Sequence, residues 1–294
     1  MNYAYYPGCS LEYTGKPYDK SVRAVFAGLG IGLQEIEDWN CCGATFYMST
    51  NKLVGYAVSA RNLAIAQKMG YDICAPCSSC YTILRKTNRH FAWNIKARPV
   101  INDALAAVNL SYNGKVDVRH PLDILVNDVG IERILDVAPF RFDGLAIAPY
   151  YGCQIVRPVY HFDDLEEPMT MDRLFTALGA KVVYYPGKVR CCGGMLMTTQ
   201  EEVGLDLNHE LIRDAEENGA EVIATACPMC QMNLEGYQPQ INKRYGEKHH
   251  IPIIYFTQLV GLALGIKPKT LGLDTLLIRP ADYKLKPKAV EVAV

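Results

Sequence analysis

The chain has 294 residues, half of them apolar, with a formal net charge of −1 and eleven cysteines. This length fits two domains or one large one, each with enough apolar residues for a core, and the near-neutral charge argues against a general binder of nucleic acid or other polyanions. The opening MNYAYYPGCSLEYTG lacks the basic and apolar regions of a secretory signal, and LVGLALGI (259–266) is too short for the ~20 apolar residues of a membrane span, so the expectation is a soluble, cytoplasmic protein.

In chain order, one unit is used twice. A β-prone run, Tyr3 to Tyr6, ends in Pro7-Gly8-Cys9, and its counterpart, Leu145 to Tyr151, ends in Gly152-Cys153. Each reads as a strand whose glycine turn presents a cysteine. A helix follows in each unit. Val22, Val25, Phe26 and Leu29 share one helical face, as do Met171, Leu174, Phe175 and Leu178, and Gly30 and Gly179 supply the stops. These stripes are simplest as core. Second strands, 31–36 and 180–185, lead to loops carrying Cys41-Cys42-Gly43 and Cys191-Cys192-Gly193. Longer helices, Lys52 to Met69 and Glu201 to Asn218, end at Gly70 and Gly219. Third strands, 71–75 and 220–226, lead into Cys77-Ser78-Ser79-Cys80 and Cys227-Pro228-Met229-Cys230, and a last helix begins at Tyr81 or Gln231.

The expected fold class is therefore α/β: two pseudo-symmetric units, each a small, mostly parallel sheet with flanking helices. The expected boundaries are 1–97 for the first unit, 98–142 for a helical connector, 143–245 for the second unit and 246–294 for a C-terminal segment and tail. Ligand sites in open α/β sheets form at the carboxyl ends of strands, where every one of these cysteine clusters falls. Helix N-termini meet there too and favour thiolates.

Thirty-four residues separate each adjacent pair from its Cys-x-x-Cys, and only Cys74 stands outside the two sets of five. Core packing accounts for Cys74 but not for a doubled pattern. Structural disulfides are disfavoured in a reducing cytosol, leaving metal ligation or catalysis. Four-cysteine zinc leaves a fifth thiol unused, and neighbouring side chains diverge too far to suit one small ion. An iron–sulfur cluster is a larger body held by thiolates, although an ordinary cubane uses four.

This pattern resembles the cysteine-rich CCG domain, and two copies with little else resemble the B component of the heterodisulfide reductases of methanogenic archaea. The resemblance implies two noncubane [4Fe-4S] clusters, one held by Cys9, Cys41, Cys42, Cys77 and Cys80, the other by Cys153, Cys191, Cys192, Cys227 and Cys230. In some relatives one such domain holds zinc or a cubane cluster instead, but both sets are complete here. The implied reaction is that of a disulfide reductase, an oxidoreductase acting on a sulfur group. It reduces the mixed disulfide of coenzyme M and coenzyme B, the last step of methanogenesis, with one electron from each cluster. The implied partners are the other two components of such a heterodisulfide reductase. The A component carries FAD and iron–sulfur clusters, the C component carries two cubane clusters, and both are joined to a hydrogenase or formate dehydrogenase module.

Such a substrate is anionic, so cations near the cysteine loops are candidate binders: Lys16, Arg157, Lys188 and Arg190, each within seven residues of a patterned cysteine. His161 is a candidate proton donor. For each of these a plain surface role is the simpler reading. No ferredoxin-type cysteine run occurs, and Gly28-Leu29-Gly30-Ile31-Gly32 lacks the spacing of a dinucleotide fingerprint. Two other readings stay open: an electron-transfer component of a glycolate, lactate or thiol-linked fumarate system, and a zinc-stabilised scaffold.

Overall fold

The computed structural model describes residues 1–44, 47–157, 163–280 and 285–290. His161 therefore lies outside the described residues. In the first half, β1 (Asn2–Tyr5) leads into α1 (Gly8–Glu12) and α2 (Lys16–Gly28). After β2 (Gly32–Glu35) the chain passes Cys41 and Cys42 to reach α3 (Tyr47–Thr50) and α4 (Lys52–Met69). Then β3 (Ile73–Cys74) leads into α5 (Ser78–Trp93). The middle of the chain carries α6 (Ala97–Ala106), β4 (Val118–Arg119), α7 (Pro121–Asp123), a π-helical stretch, α8 (Ile131–Val137) and β5 (Phe140–Arg141).

The second half repeats the first. It runs through β6 (Ala146–Tyr150), α9 (Thr170–Ala177), β7 (Lys181–Val182), α10 (Leu196–Thr199), α11 (Glu201–Glu217), β8 (Val222–Thr225) and α12 (Pro228–Gly236). Beyond it lie α13 (Gln238–Tyr245), β9 (Ile253–Tyr255), α14 (Phe256–Ala263) and β10 (Lys288–Ala289).

The strands form two four-stranded sheets of the same order, β2-β1-β3-β4 and β7-β6-β8-β9, parallel throughout. In each sheet the chain moves outward from the first strand and then returns to its other side. The switch point thus falls between β1 and β3, and between β6 and β8, and a crevice opens there at the carboxyl ends. The α/β class read from the sequence is the observed one. Both predicted apolar stripes are buried core: Val22, Val25, Phe26, Leu29, Met171, Leu174, Phe175 and Leu178 are all at most 4% exposed.

Local chemistry sets the helix ends. The Asn51 side chain accepts from the N–H groups of Leu53 and Val54 at the start of α4, and Gly70 at φ 77° ends it. The predicted strand 180–185 is shorter than expected. Only Lys181–Val182 pairs with β6, because Pro186 opens a tight helical turn that carries the chain off the sheet.

Residues 98–142 contribute two strands, β4 and β5, as well as helices, and β4 joins the first sheet: Ile73 pairs with Val118 and Cys74 with Arg119. Segment 246–294 contributes β9, in register Ile223 with Ile253, and β10, antiparallel to β5. It also contributes α14, which packs on α2 of the other half. There Tyr18 and Tyr255 stack at 4.3 Å and Ser21 Oγ lies 2.6 Å from Thr257 Oγ1. A buried stack of this kind adds about 0.5–1.5 kcal/mol beyond its area. The two crevices are thereby held face to face. Among the described residues, no helix is long and apolar enough to cross a membrane.

Candidate metal centre

The glycines of the repeat are fixed by the sulfur geometry. Gly8 and Gly152 both sit at φ 68°, and each turn delivers the next residue, Cys9 or Cys153. A Cβ on Gly8 would stand 3.0 Å from Cys80 Sγ, and one on Gly152 3.2 Å from Cys230 Sγ. Gly43 and Gly193, at φ 81° and 82°, close each adjacent pair. The left-handed turn aims the Gly43 N–H back at Cys41 Sγ, 3.5 Å away, and the Gly193 N–H bonds Cys191 in the same way.

The buried tyrosine at or just after the end of each first strand pins the loop that approaches the pair. Tyr6 donates to Asn40 O at 2.8 Å and Tyr150 to Arg190 O at 2.7 Å. Amides complete the support. The Asn62 side chain bonds both backbone groups of Asn40, while Asn208 and Asn233 donate to Cys192 O at 2.9 and 3.1 Å. Cys77 and Cys227 sit in extended conformation immediately before α5 and α12.

All eleven cysteines are free thiols. In the first set, hydrogen bonds run from Cys9 to Cys41, Cys42, Cys80 and Cys77 in turn. In the second set Cys153 bonds Cys191, Cys192 lies 3.4 Å from Cys230, and Cys230 bonds Cys227. A final bond, between Cys77 and Cys227, joins the sets.

Three of these thiols, Cys41, Cys191 and Cys227, are held down by their neighbours while most of the others are pushed up. Accepting from Cys42 and Cys9 holds Cys41 down at about 2, and donating to Cys41 pushes Cys42 up to about 12. Its counterpart Cys191 is lowered to about 6 by Cys153, which is itself raised. Cys227 is held well below the usual thiol value by Cys230 and Cys77, with help from the Met229 and Cys230 N–H groups at the start of α12. Thiols this close cannot all ionise alone, whereas a cationic core lets them do so together. Five convergent sulfurs per set, with no carboxylate or imidazole among the cavity-lining residues described, are a donor set for a soft, thiolate-held metal group. Cys74 is different: it is fully buried in β3, and burial raises its thiol.

All ten patterned cysteines line one cavity of about 380 Å³. The sequence brings together five on each sheet, and the tertiary fold brings the two fives to one space. The cations expected near substrate lie elsewhere. Lys16 is exposed at the start of α2, Arg157 is exposed, and Arg190 is exposed and paired with Glu210. Lys188 is buried. Its ammonium meets Glu167 at 2.6 Å, Pro168 O at 2.8 Å and Asp172 at 3.7 Å, while its carbonyl receives the Tyr151 and Gly152 N–H groups. None of these four lines the cavity.

The cation that does line it, among the described residues, is Lys86 on α5, together with Met48, Met195, Met229 and Gln154. Ser79, Ile83 and Lys86 follow the i, i+4, i+7 spacing of one helix face, a signal that a search confined to the loops passes over.

The profile of the CCG family, described as a cysteine-rich domain, matches residues 3–85 and 147–235, and the chain belongs to that family. It is 34% identical over 274 residues to the 8-methylmenaquinol:fumarate reductase membrane anchor subunit of Wolinella succinogenes, covering 92% of this chain and 95% of that one. It is 30% identical to a protein of Archaeoglobus profundus described as like the B component of heterodisulfide reductase, covering 97% of each. Among solved structures, a hypothetical protein from Helicobacter pylori shares the fold, with a TM-score of 0.77 at 16% identity. That match covers 95% of this chain and 52% of the other, so this chain spans about half of that one.

Proposed function

We propose that this chain is the catalytic iron–sulfur component of a disulfide reductase. Each five-cysteine set holds one noncubane [4Fe-4S] cluster, and the mixed disulfide of coenzyme M and coenzyme B is reduced between them to two thiols. The single observation that carries this reading is the shared cavity, lined by both complete sets. The reaction takes two electrons and two protons into one S–S bond; the clusters supply the electrons, one each.

The chain's own residues supply containment and binding. The Met48, Met195 and Met229 thioethers give a polarizable, adaptable wall for a sulfur-rich substrate. Lys86 offers a cation to a substrate anion. Similarity to the B component of heterodisulfide reductases supports two partners, an FAD-bearing A component and a C component with cubane clusters. It also supports a hydrogenase or formate dehydrogenase module as the electron source.

A second reading draws on the 34% identity to a fumarate reductase protein. In it the same centres pass electrons onward without a disulfide. Anaerobically purified protein separates the readings. The proposal expects about eight iron atoms per chain, four for each cluster. It also expects reduction of the heterodisulfide by an artificial one-electron donor. Iron without disulfide turnover favours the second reading, and zinc without iron removes both.

A further inference from the structure

Beside α11 and the segment before β9 lies a second group of ligating side chains that the proposed chemistry does not use. His209, Glu247 and His249 each place one ligand atom within 4.8 Å of the other two. Both imidazoles are buried, at 5% and 8% exposure, while Glu247 opens to solvent. His209 Nε2 stands 2.8 Å from Glu247 Oε2, and His249 Nε2 bonds the same oxygen.

The rings are held in place by their surroundings. His209 stacks on Tyr245, with ring centroids 3.7 Å apart and an angle of 11° between planes. His249 is clamped by Asn242, whose side chain accepts from the His249 N–H at 2.7 Å and donates to its carbonyl at 2.9 Å. Its other ring nitrogen, Nδ1, bonds Glu216, two turns beyond His209 on the same face of α11. A carboxylate on the far nitrogen of an imidazole is the arrangement that orients metal-ligating histidines.

We infer that His209, Glu247 and His249 form a divalent-cation site of the zinc class, oriented by Glu216 and separate from the ten-cysteine cavity. Two nitrogens and one carboxylate oxygen suit zinc, and the solvent-facing side of Glu247 leaves the fourth position to water. Bonds of ~2.0–2.1 Å place tetrahedral ligand atoms about 3.3 Å apart, so His209 Nε2 and Glu247 Oε2, now 2.8 Å apart, would spread by about 0.5 Å on binding. His249 meets a carboxylate at each ring nitrogen, Glu216 at Nδ1 and Glu247 at Nε2. An ion at Nε2 leaves the Nδ1 contact with Glu216 in place. Bound there, the ion ties α11 to the segment before β9. Asn208, next to His209, holds Cys192 O, so the tie reaches the second cysteine loop. The inference does not depend on the proposed reaction.

Its test uses the cluster-loaded chain, in which the cysteines are occupied. The protein is incubated anaerobically with Zn²⁺ alone and desalted, and zinc and iron are measured in one sample. Zinc-edge X-ray absorption then reads the ligands. The expected result is about one retained zinc at unchanged iron, with nitrogen and oxygen neighbours at ~2.0–2.1 Å. Glu247→Gln, an isosteric change at a partly exposed position, should abolish retention, and Glu216→Gln should weaken zinc affinity about 10- to 100-fold. Zinc should also raise the thermal midpoint of the native chain but not that of Glu247→Gln. The site is refuted if no zinc is retained, if its neighbours are sulfurs at ~2.3 Å, or if Glu247→Gln retains as much zinc as the native chain.

Discussion

His120 joins the two halves at the point where both cysteine sets depend on it, and its replacement should expose that role. The Leu122 N–H donates to its Nδ1 at 3.2 Å, which makes Nε2 the protonated nitrogen. Nε2–H then points at two carbonyls, Pro76 O at 2.9 Å and Ala226 O at 3.1 Å, each one residue ahead of a Cys-x-x-Cys. Ala226 O also receives the Tyr18 and Ser78 hydroxyls. His120→Ala therefore removes the donor shared by both loops. A buried acceptor losing its donor costs about 1–3 kcal/mol. The vacated ring space adds about 2 kcal/mol. A fall in thermal midpoint of ~10 °C follows, at roughly 2–4 °C per kcal/mol for a chain of this order of size.

Acid provides a second reading of the same residue. Burial lowers the His120 imidazole from 6.5 to about 4. Between those values the unfolded chain binds the proton and the folded chain does not. The contribution is thus complete above pH 6.5 and is lost as pH falls toward 4, by about 2 kcal/mol at pH 5. Anaerobic thermal unfolding of native and His120→Ala protein, each cluster-loaded, at about pH 7.5 and about pH 5 measures both effects, with iron content measured in every sample so that only cluster-retaining protein is compared. The reasoning fails if the variant unfolds within ~3 °C of the native chain at the higher pH. It fails equally if acidification costs both proteins the same.

Gly152→Ala should lower the iron content of the second set selectively. The left-handed conformation costs a side chain about 1–2 kcal/mol, and the new Cβ presses on Cys230 Sγ from 3.2 Å. Iron analysis with a spectrum of the remaining cluster checks this. Lys86→Ala should raise KM for the anionic disulfide about tenfold, with kcat less affected, as expected for loss of a binding cation worth ~1.4 kcal/mol; steady-state kinetics at two ionic strengths reads it. Lys188→Met should destabilise the fold by about 3–5 kcal/mol, because it leaves buried Asp172 without its cation. A stable Lys188→Met variant with a raised KM would instead return Lys188 to the substrate site.

The sequence alone determined the repeated βαβ pattern, the buried helix stripes and the membership of both cysteine sets. These features are local. A strand, a glycine turn at positive φ and a helix start place each cysteine at a strand end, and covalent spacing repeats the result in the second half of the chain. The short strands β4 and β9 escaped that reading because two or three residues pair only when a neighbouring strand is already in place, so their signal belongs to the sheet.

The four charged candidates with described positions were chosen for nearness in sequence, but direction decides their roles. Lys188 turns inward to Asp172, while Lys86, six residues beyond Cys80, turns along one helix face into the cavity. Only the tertiary structure decided three further things. It set the two crevices against each other through α2 and α14. It placed His120 between Pro76 and Ala226. It brought His209 to Glu247 and His249 across 38 and 40 residues of chain. Each depends on contacts between distant segments, which burial of apolar surface selects and no local periodicity records.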